Sequence, residues 1–448
     1  MKRVLSILVV VLLVSACVSP LSAAEPKEWT WMVFLNADNN LDQFGVGDEE
    51  EMAKVGSNEW LNIVSLIDRE KGPAELHYIE KGNVKKVQDL GELDMGDYKQ
   101  LVSFVKDTAA AYPAKHYALI IWNHGSGWKN AGSAIVKGIS YDDSTGNHIT
   151  TEQLGLAMKE VKTILGKNLD VLGMDACLMQ MMEVVYAVKA ETDIVVASEE
   201  TEPGDGYPYE EILGSLKKGM APAEFTKAWV KAYAASYNGG SQGTSASTQS
   251  AIDCSKLDAL KDAIDGFSKA AIAGKYGNQF KDALVKVQKF YYRTNIDLAH
   301  LASLLKTTIT DEGFQTAVKK LEAACADATV ANGTSGATMK LAKGLAIYFP
   351  ATSYSWATQY NDLAFAKDSL WDEMVQDFYK KTTAPTIVAD LENGDLSSLR
   401  DYVAKAGLNN REVSSDVTSK INFRVFTEGG MSDVQSDVEA LIKELKTK

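Results

Sequence analysis

Five short apolar runs, separated by longer segments with helical spacing, constrain the fold of this chain most. The runs cover residues 31–36, 62–68, 116–123, 169–175 and 193–199. Near-continuous apolar runs are typical of parallel strands that are buried on both faces. Helical periodicity occupies residues 42–55, 97–110, 151–165 and 178–190. The alternation predicts an α/β fold in which a mostly parallel sheet is sandwiched by helices.

The rest of the chain decorates this sheet in the predicted fold. Residues 74–92 alternate around a Lys-Gly-Asn turn, which predicts a hairpin at one edge. The second half is more helical, residues 237–248 form a Gly/Ser/Thr loop, and the run 344–350 suggests that the sheet continues late in the chain. We expect one main domain over residues 29–380 and a small C-terminal α+β unit of unknown role over residues 385–448.

The N-terminus has the pattern of an export signal. Two basic residues precede an apolar run that is too short to cross a bilayer comfortably, and small residues follow. Cleavage after Ala24 would remove residues 1–24, whereas lipoprotein-type cleavage after Ala16 would leave Cys17 as a lipid-modified first residue. The sequence predicts an exported protein, extracellular or in the cell envelope, whose only membrane attachment would be a lipid on Cys17.

Net charge and cysteine content limit the partners and the cysteine chemistry that the chain can have. The chain has 46 Lys and Arg against 60 Asp and Glu, for a net charge of −14, and it offers no basic cluster for a nucleic acid. The four cysteines have no Cys-x-x-Cys spacing, so zinc and thioredoxin chemistry are not indicated. Cys254 and Cys325 are expected mainly as buried apolar side chains, although a disulfide between them is an alternative. We expect a monomer.

Two of the predicted strands end in residues that can carry chemistry. His124 follows one run and precedes Gly125, and Cys177 follows another. The carboxyl ends of parallel strands meet at one edge of a sheet, which would bring the two side chains together. Because a helix is predicted directly after Cys177, we expect helical N–H groups to favour its thiolate. The alternative for each residue alone is ordinary packing.

The segments "IIWNHGSGW" and "MDACLMQMMEVVYAV" resemble the clostripain-like cysteine peptidases, members of the caspase-like clan. "NADNNLD", "ASEETEPGDGYPY", "SAIDCSKL" and "KGLAIYFP" reinforce a resemblance that extends from about residue 29 to residue 350. It implies a caspase-like fold, with Cys177 as nucleophile and His124 as general acid/base. It also implies an oxyanion hole made by the backbone N–H groups of Gly125 and Cys177.

The resemblance also implies a preference for Arg or Lys before the scissile bond. Asp175 matches the acidic position two residues before the nucleophile, where it would bind a basic side chain rather than activate the thiol. Asp205, in "EPGDGYPY", could add a second carboxylate. The alternatives are that Asp175 caps the following helix and that Asp205 is an ordinary turn residue.

Several members of the family activate themselves by internal cleavage between the histidine and cysteine strands. Lys137 and, as second choice, Lys129 lie in that interval of this chain. Calcium is associated with some relatives, and the acidic segments 94–97 and 141–147 invite that interpretation, but neither has the regular spacing of a calcium loop. We therefore expect no cofactor, with calcium as the alternative.

Three functions fit the sequence. The leading hypothesis is an exported cysteine endopeptidase that cleaves proteins or peptides after Arg or Lys. The second is a transamidase that passes the same thioester to an amine. The third is a non-catalytic surface lipoprotein that uses the fold as a binding module.

Overall fold

The computed structural model describes residues 25–128 and 138–392. Its strands are β1 Lys27–Ala37, β2 Leu61–Arg69, β3 Ala74–Glu80, β4 Asn83–Gly91, β5 Ala114–Trp122, β6 Gly138–Ile139, β7 Ile149–Thr150, β8 Leu169–Asp175, β9 Thr192–Ala197, β10 Asn238–Gly240, β11 Gly243–Thr244, β12 Ser247–Asp253, β13 Asn295–Asp297, β14 Thr329–Ser335 and β15 Ala346–Tyr348. Its helices are α1 Asp42–Val55, α2 Tyr98–Ala111, α3 Thr151–Leu165, α4 Met182–Val188, α5 Tyr209–Ser215, α6 Pro222–Ser236, α7 Leu257–Ala273, α8 Gly277–Lys286, α9 Leu298–Thr308, α10 Glu312–Ala328, α11 Ala364–Asp368 and α12 Trp371–Glu392.

Within these residues, nine strands form one sheet in the order β14-β12-β9-β8-β5-β1-β2-β3-β4. The five central strands, β9, β8, β5, β1 and β2, are mutually parallel, and the pairs at both edges are antiparallel. The predicted mostly parallel sheet and its edge hairpin, β3–β4, are confirmed. β4 is largely exposed and carries charged residues, which discourages pairing with another chain at that edge.

The central strands are apolar throughout because both faces of the sheet are covered. In β1, Trp31 and Val33 belong to one buried cluster, while Met32 and Phe34 belong to the other. Helices α1, α5 and α6 supply side chains to the first cluster, and α2, α3 and α4 supply them to the second. Period-two alternation therefore distributes apolar side chains to two cores rather than to a core and solvent.

Local signals fix several helix ends. Asp97 caps α2 by accepting a hydrogen bond from the Lys99 N–H, and Thr150 and Gln153 form a capping box at the start of α3. Gly166 ends α3 in the left-handed conformation, with φ of 67°. These ends agree within one residue with the predicted helices.

Two sequence predictions were wrong about the late chain and the central helix. The run 344–350 contains β15, which pairs with β13 in a separate two-stranded sheet, and the late additions to the main sheet are β12 and β14. The helix expected over 178–190 is shorter, because α4 begins only at Met182. The 237–248 loop contains a small hairpin of β10 and β11.

The second half of the chain packs its helices onto the cluster shared with α2–α4. Cys254 and Cys325 are buried free thiols, as expected for apolar side chains. Helix α12 continues to Glu392, across the predicted boundary near residue 385, and the rest of the C-terminal unit lies outside the described residues. Among the described residues, no helix has the length and apolar character to cross a bilayer.

Candidate active site

Strand register brings the predicted catalytic pair to one place. Trp122, the last residue of β5, pairs with Asp175, the last residue of β8, and the Asn123 N–H donates to the Asp175 backbone oxygen at 3.2 Å. His124 and Cys177 each lie two residues beyond that register pair. The two strands thus deliver an imidazole and a thiol to the same carboxyl edge of the sheet.

His124 is half-buried and has a defined partner. Its Nε2 lies 2.7 Å from the Asn40 Oδ1, and in this arrangement Nε2 donates and Nδ1 is left to accept a proton. Burial lowers the His124 pKa from its ordinary 6.5, against the opposing effect of the Asp143 carboxylate. The imidazole is therefore neutral near pH 7 and can act as a base.

Cys177 is also half-buried, and it is protonated at rest. The Glu202 N–H donates to its Sγ at 3.3 Å. Burial raises the Cys177 pKa, the Glu202 N–H opposes this, and the carboxyl groups of Asp175 and Glu200 raise it further. A neutral thiol beside a neutral imidazole needs proton transfer as part of the attack, rather than an ion pair formed in advance.

The expected helix N-terminus at Cys177 is absent. Cys177 lies in an irregular turn in which Leu178 has a φ of 64°, and α4 starts five residues after the cysteine. The turn runs beside the loop after β9, with hydrogen bonds from the Leu178 N–H to the Glu200 oxygen at 3.1 Å and from the Gln180 N–H to the Ser198 oxygen at 2.9 Å. Loop backbone, not a helix dipole, thus surrounds the thiol.

Gly125 lets the histidine segment approach the cysteine turn closely. A Cβ at this position would stand 2.5 Å from the Cys177 backbone oxygen, which no side chain tolerates without a shift. Among the described residues, neither the Gly125 nor the Cys177 N–H donates to a backbone carbonyl oxygen. The oxyanion hole made by these two groups stays a prediction.

Asp175 does not cap a helix. It is 5% exposed, and its Oδ2 accepts hydrogen bonds from the Tyr207 N–H at 3.2 Å and the Tyr209 hydroxyl at 2.9 Å. Gly206, with a φ of 57°, packs against the carboxyl group, and a Cβ there would lie 3.0 Å from Oδ1. Burial raises the Asp175 pKa to about 6, against the lowering effect of its hydrogen bonds.

Asp205 lies in the same loop but is exposed. Its backbone oxygen accepts a hydrogen bond from the Gln242 Nε2 at 2.9 Å, which ties the loop to the β10–β11 hairpin. The Asp205 carboxylate is close enough to raise the pKa values of Asp48 and Tyr237, so it belongs to the electrostatic environment of Asp175. Asp205 thus lies in the loop that packs against Asp175, and its role in specificity stays a prediction.

Three residues of this region escaped the sequence analysis. Asn40 holds the imidazole. Asp48, on α1, is 6% exposed and accepts from the Trp122 Nε1 at 2.6 Å, and burial and the neighbouring Asp175 raise its pKa well above the ordinary value. Glu202 contacts the thiol through its backbone. Asn40 and Glu202 fall inside quoted family segments, whereas the only signal for Asp48 was an acid within an amphipathic helix.

The two acidic segments that suggested calcium lie against each other. The Asp142 Oδ2 accepts from the Met95 N–H at 2.9 Å, and the Asp94 oxygens accept from the Thr145 hydroxyl at 3.1 Å and the Asn147 Nδ2 at 2.9 Å. These hydrogen bonds join two loops. In the described ranges no three His, Cys, Asp or Glu side chains are grouped as metal ligands.

Cys17, Lys129 and Lys137 lie outside the described residues, so lipidation and internal cleavage stay predictions. The residues that flank the 129–137 interval, Trp128 and Gly138, are buried. The Ser126 N–H donates to the Gly138 oxygen at 3.1 Å, which fixes the exit of the interval beside the histidine segment.

Known proteins share this fold. A solved secreted C11 cysteine protease from Bacteroides thetaiotaomicron, iotapain, is 18% identical, with a TM-score of 0.59 over 77% of this chain and 99% of that one. An inactive C11 zymogen from Parabacteroides distasonis is 18% identical, with a TM-score of 0.60 over 77% of this chain and 98% of that one. The secreted C11 protease from Bacteroides thetaiotaomicron in complex with an irreversible peptide inhibitor is 19% identical, with a TM-score of 0.61 over 78% of this chain and 99% of that one.

Sequence comparison supplies the family. Clostripain from Hathewaya histolytica is 30% identical over 224 residues, an alignment that covers 42% of this chain and 42% of clostripain. The clostripain family model matches residues 33–378, a range that includes both strand ends with His124 and Cys177 and most of the helical second half. The chain therefore belongs to the clostripain family of cysteine peptidases, peptidase family C11.

Proposed function

We propose that this protein is an exported cysteine endopeptidase that cleaves peptide bonds after Arg or Lys through Cys177 and His124. The observation that carries the proposal is that a thiol, a neutral imidazole and the buried Asp175 carboxyl group lie at one edge of the sheet. Membership of the clostripain family supports it.

The chemistry follows from the resting protonation states. His124 takes the Cys177 proton while Sγ attacks the carbonyl carbon of the scissile bond, and the oxyanion receives the N–H groups of Gly125 and Cys177. The imidazolium then gives that proton to the leaving amine, and a thioester remains. Water, deprotonated by His124, hydrolyses the thioester and restores the thiol.

The proposed specificity depends on two carboxylates near the nucleophile. Asp175 lies two residues before Cys177 at the end of β8, with Asp205 in the loop next to it. An ionised carboxyl group is unfavourable when it is buried without a counter-charge, and a guanidinium or ammonium group supplies that charge together with hydrogen-bond donors. A basic side chain is therefore the ligand that fits this site. A neutral substrate side chain would leave these carboxylates without a counter-charge.

Export, lipidation of Cys17 and self-activation at Lys137 complete the proposal. The N-terminal pattern supports export, and one relative with this fold is named a secreted protease. Another is named an inactive zymogen, which supports a step of activation. A lipid on Cys17 would be the membrane attachment, and the expected substrates are proteins or peptides with basic residues.

The test is release of a reporter from short peptides that carry Arg, Lys, Asp or Leu before the scissile bond. We expect turnover of the Arg and Lys peptides only, and its loss in Cys177→Ala and His124→Ala. Product masses separate hydrolysis from transfer to an added amine. Failure to turn over any peptide, also after limited proteolysis, would contradict the proposal and favour the binding module.

A further inference from the structure

We propose that Glu202 and Asp175 form a carboxyl pair that shares one proton in the absence of substrate and releases it when a basic side chain of the substrate binds. The inference rests on the proposed function and adds a specificity residue to the same pocket. Glu202 would then have two roles, since its backbone also contacts the nucleophile.

The geometry sets Glu202 apart from the other acids of the loop. Both of its carboxyl oxygens are buried, and neither has a hydrogen-bond donor among the described residues. A buried carboxylate without a donor is unstable, so the group needs either a proton or a cation. The Asp175 carboxyl lies within hydrogen-bonding reach of the Glu202 carboxyl, so a proton on one can be shared with the other.

Asp175 is the better solvated partner of the pair. Its Oδ2 accepts two hydrogen bonds, from the Tyr207 N–H and the Tyr209 hydroxyl, which favour its ionised form. Burial and the Asp175 charge both raise the Glu202 pKa well above its ordinary value. Two carboxyl groups in contact cannot both ionise cheaply, so Glu202 carries the proton and donates it towards Asp175.

The other ionisable groups around the pair are acidic and do not supply a positive charge that would neutralise it. The main influences on the pKa values of the two carboxyl groups are burial, hydrogen bonds and neighbouring acidic groups. The groups that face it from neighbouring elements are Asp48 and Glu51 on α1, Cys177 after β8, Tyr209 on α5, and Tyr207, Tyr233 and Tyr237 around the loop and α6. A substrate cation would be the first positive charge in this environment.

Binding then exchanges a proton for a cation. The protonated pair and a guanidinium or ammonium become two carboxylates, one bound cation and one proton in solvent. Binding of a basic substrate should therefore strengthen as pH rises, because Glu202, whose pKa is raised well above its ordinary value, must give up its proton. Where Glu202 is protonated in the free protein, each pH unit strengthens binding by up to about tenfold, so KM should fall by up to about tenfold per pH unit between pH 5 and pH 7.

The structure also connects the pocket to the nucleophile. The same residue that holds the pocket proton donates its N–H to the Cys177 Sγ at 3.3 Å. Glu202→Gln keeps that backbone bond and the side-chain length, but its amide donates to Asp175 without a proton to release. The variant should therefore change KM and its pH dependence while kcat keeps its profile.

The first experiment measures protons directly. N-acetyl-arginine amide is titrated calorimetrically at pH 6 into Cys177→Ala protein, in two buffers of different ionisation enthalpy. We expect release of a large fraction of one proton in this background and almost none when Glu202→Gln is added. Glu211→Gln, an exposed acid on α5, is the matched control and should release as many protons as its parent.

The second experiment follows kcat and KM for an Arg peptide from pH 5 to pH 8. We expect KM to fall with rising pH in the wild type, by up to about tenfold per pH unit where Glu202 is protonated, and to change within about twofold in Glu202→Gln. Binding of N-acetyl-arginine amide to Cys177→Ala protein without proton release would overturn the inference, and so would a Glu202→Gln variant with the wild-type KM profile. The first of these measurements needs no variant at Glu202, so it decides the question even if Glu202→Gln folds poorly. Absence of both binding and turnover would instead overturn the proposed function.

Discussion

Replacement of Gly125 by alanine tests whether close approach of the two strand-end segments creates the active site. The added Cβ would stand 2.5 Å from the Cys177 backbone oxygen, with the Ala176 Cβ at 3.0 Å and the Met179 Cγ at 3.1 Å. An ordinary contact begins at 3.4 Å, so the two segments must separate by roughly 1 Å.

A displacement of that size removes one oxyanion donor from its position and misaligns the nucleophile. Loss of one such donor reduces kcat by about 10²–10³, or roughly 3–4 kcal/mol of transition-state stabilisation. We expect kcat to fall by this factor on an Arg peptide while KM changes little, because the added Cβ would meet Cys177, Ala176 and Met179 and not the Asp175 carboxyl.

The assay is steady-state kinetics together with thermal unfolding. Gly47→Ala is the matched control, since nothing lies within 4 Å of a Cβ at that helical position. It should keep wild-type kcat and gain about 0.5–1 kcal/mol of stability. A folded Gly125→Ala enzyme with wild-type kcat would refute the reasoning, because the close approach would then have no catalytic role.

Three further predictions follow from other contacts. Asn40→Ala should lower kcat on the order of tenfold, with KM unchanged, because His124 loses the acceptor that orients its ring; an unchanged kcat would contradict this. Burial raises the Glu183 pKa to about 7 from 4.5, so its stabilising effect is complete below pH 4.5 and is lost as pH rises through 7. In urea unfolding, the wild type should lose on the order of 1–3 kcal/mol of its free energy of unfolding between pH 5 and pH 8, and Glu183→Gln should not show this loss. An equal pH dependence of the free energy of unfolding in both proteins would rule this out. Intact mass should show cleavage after Lys137 in the wild type and an unbroken Cys177→Ala chain, whereas unbroken chains in both would exclude self-cleavage.

The sheet was predictable because its signals are local. The run 169–175 coincides with β8, whose central residues from Val171 to Met174 are apolar and buried and whose last residue is Asp175. The capped start of α3 and the Lys-Gly-Asn turn of the edge hairpin are equally local. The meeting of His124 and Cys177 followed from parallel topology alone.

The start of α4 could not be read from the same pattern. Leu178, Met179 and Met181 are buried and spaced as if on a helix. Their backbone instead bonds to the loop after β9, through contacts such as the Gln180 N–H with the Ser198 oxygen. Tertiary hydrogen bonds thus replaced the first helical turn, and the expected activation of the thiol by a helix N-terminus was wrong for the same reason.

The sequence by itself determined the sheet, the order of its central strands along the chain and the two reactive residues at its carboxyl edge, because hydrophobic periodicity and strand ends are properties of short segments. Only the tertiary structure decided the protonation states and partners at that edge. Asn40, Asp48 and Glu202 reach the site from three separate segments, and the pKa of a buried group depends on which charges and donors surround it in space.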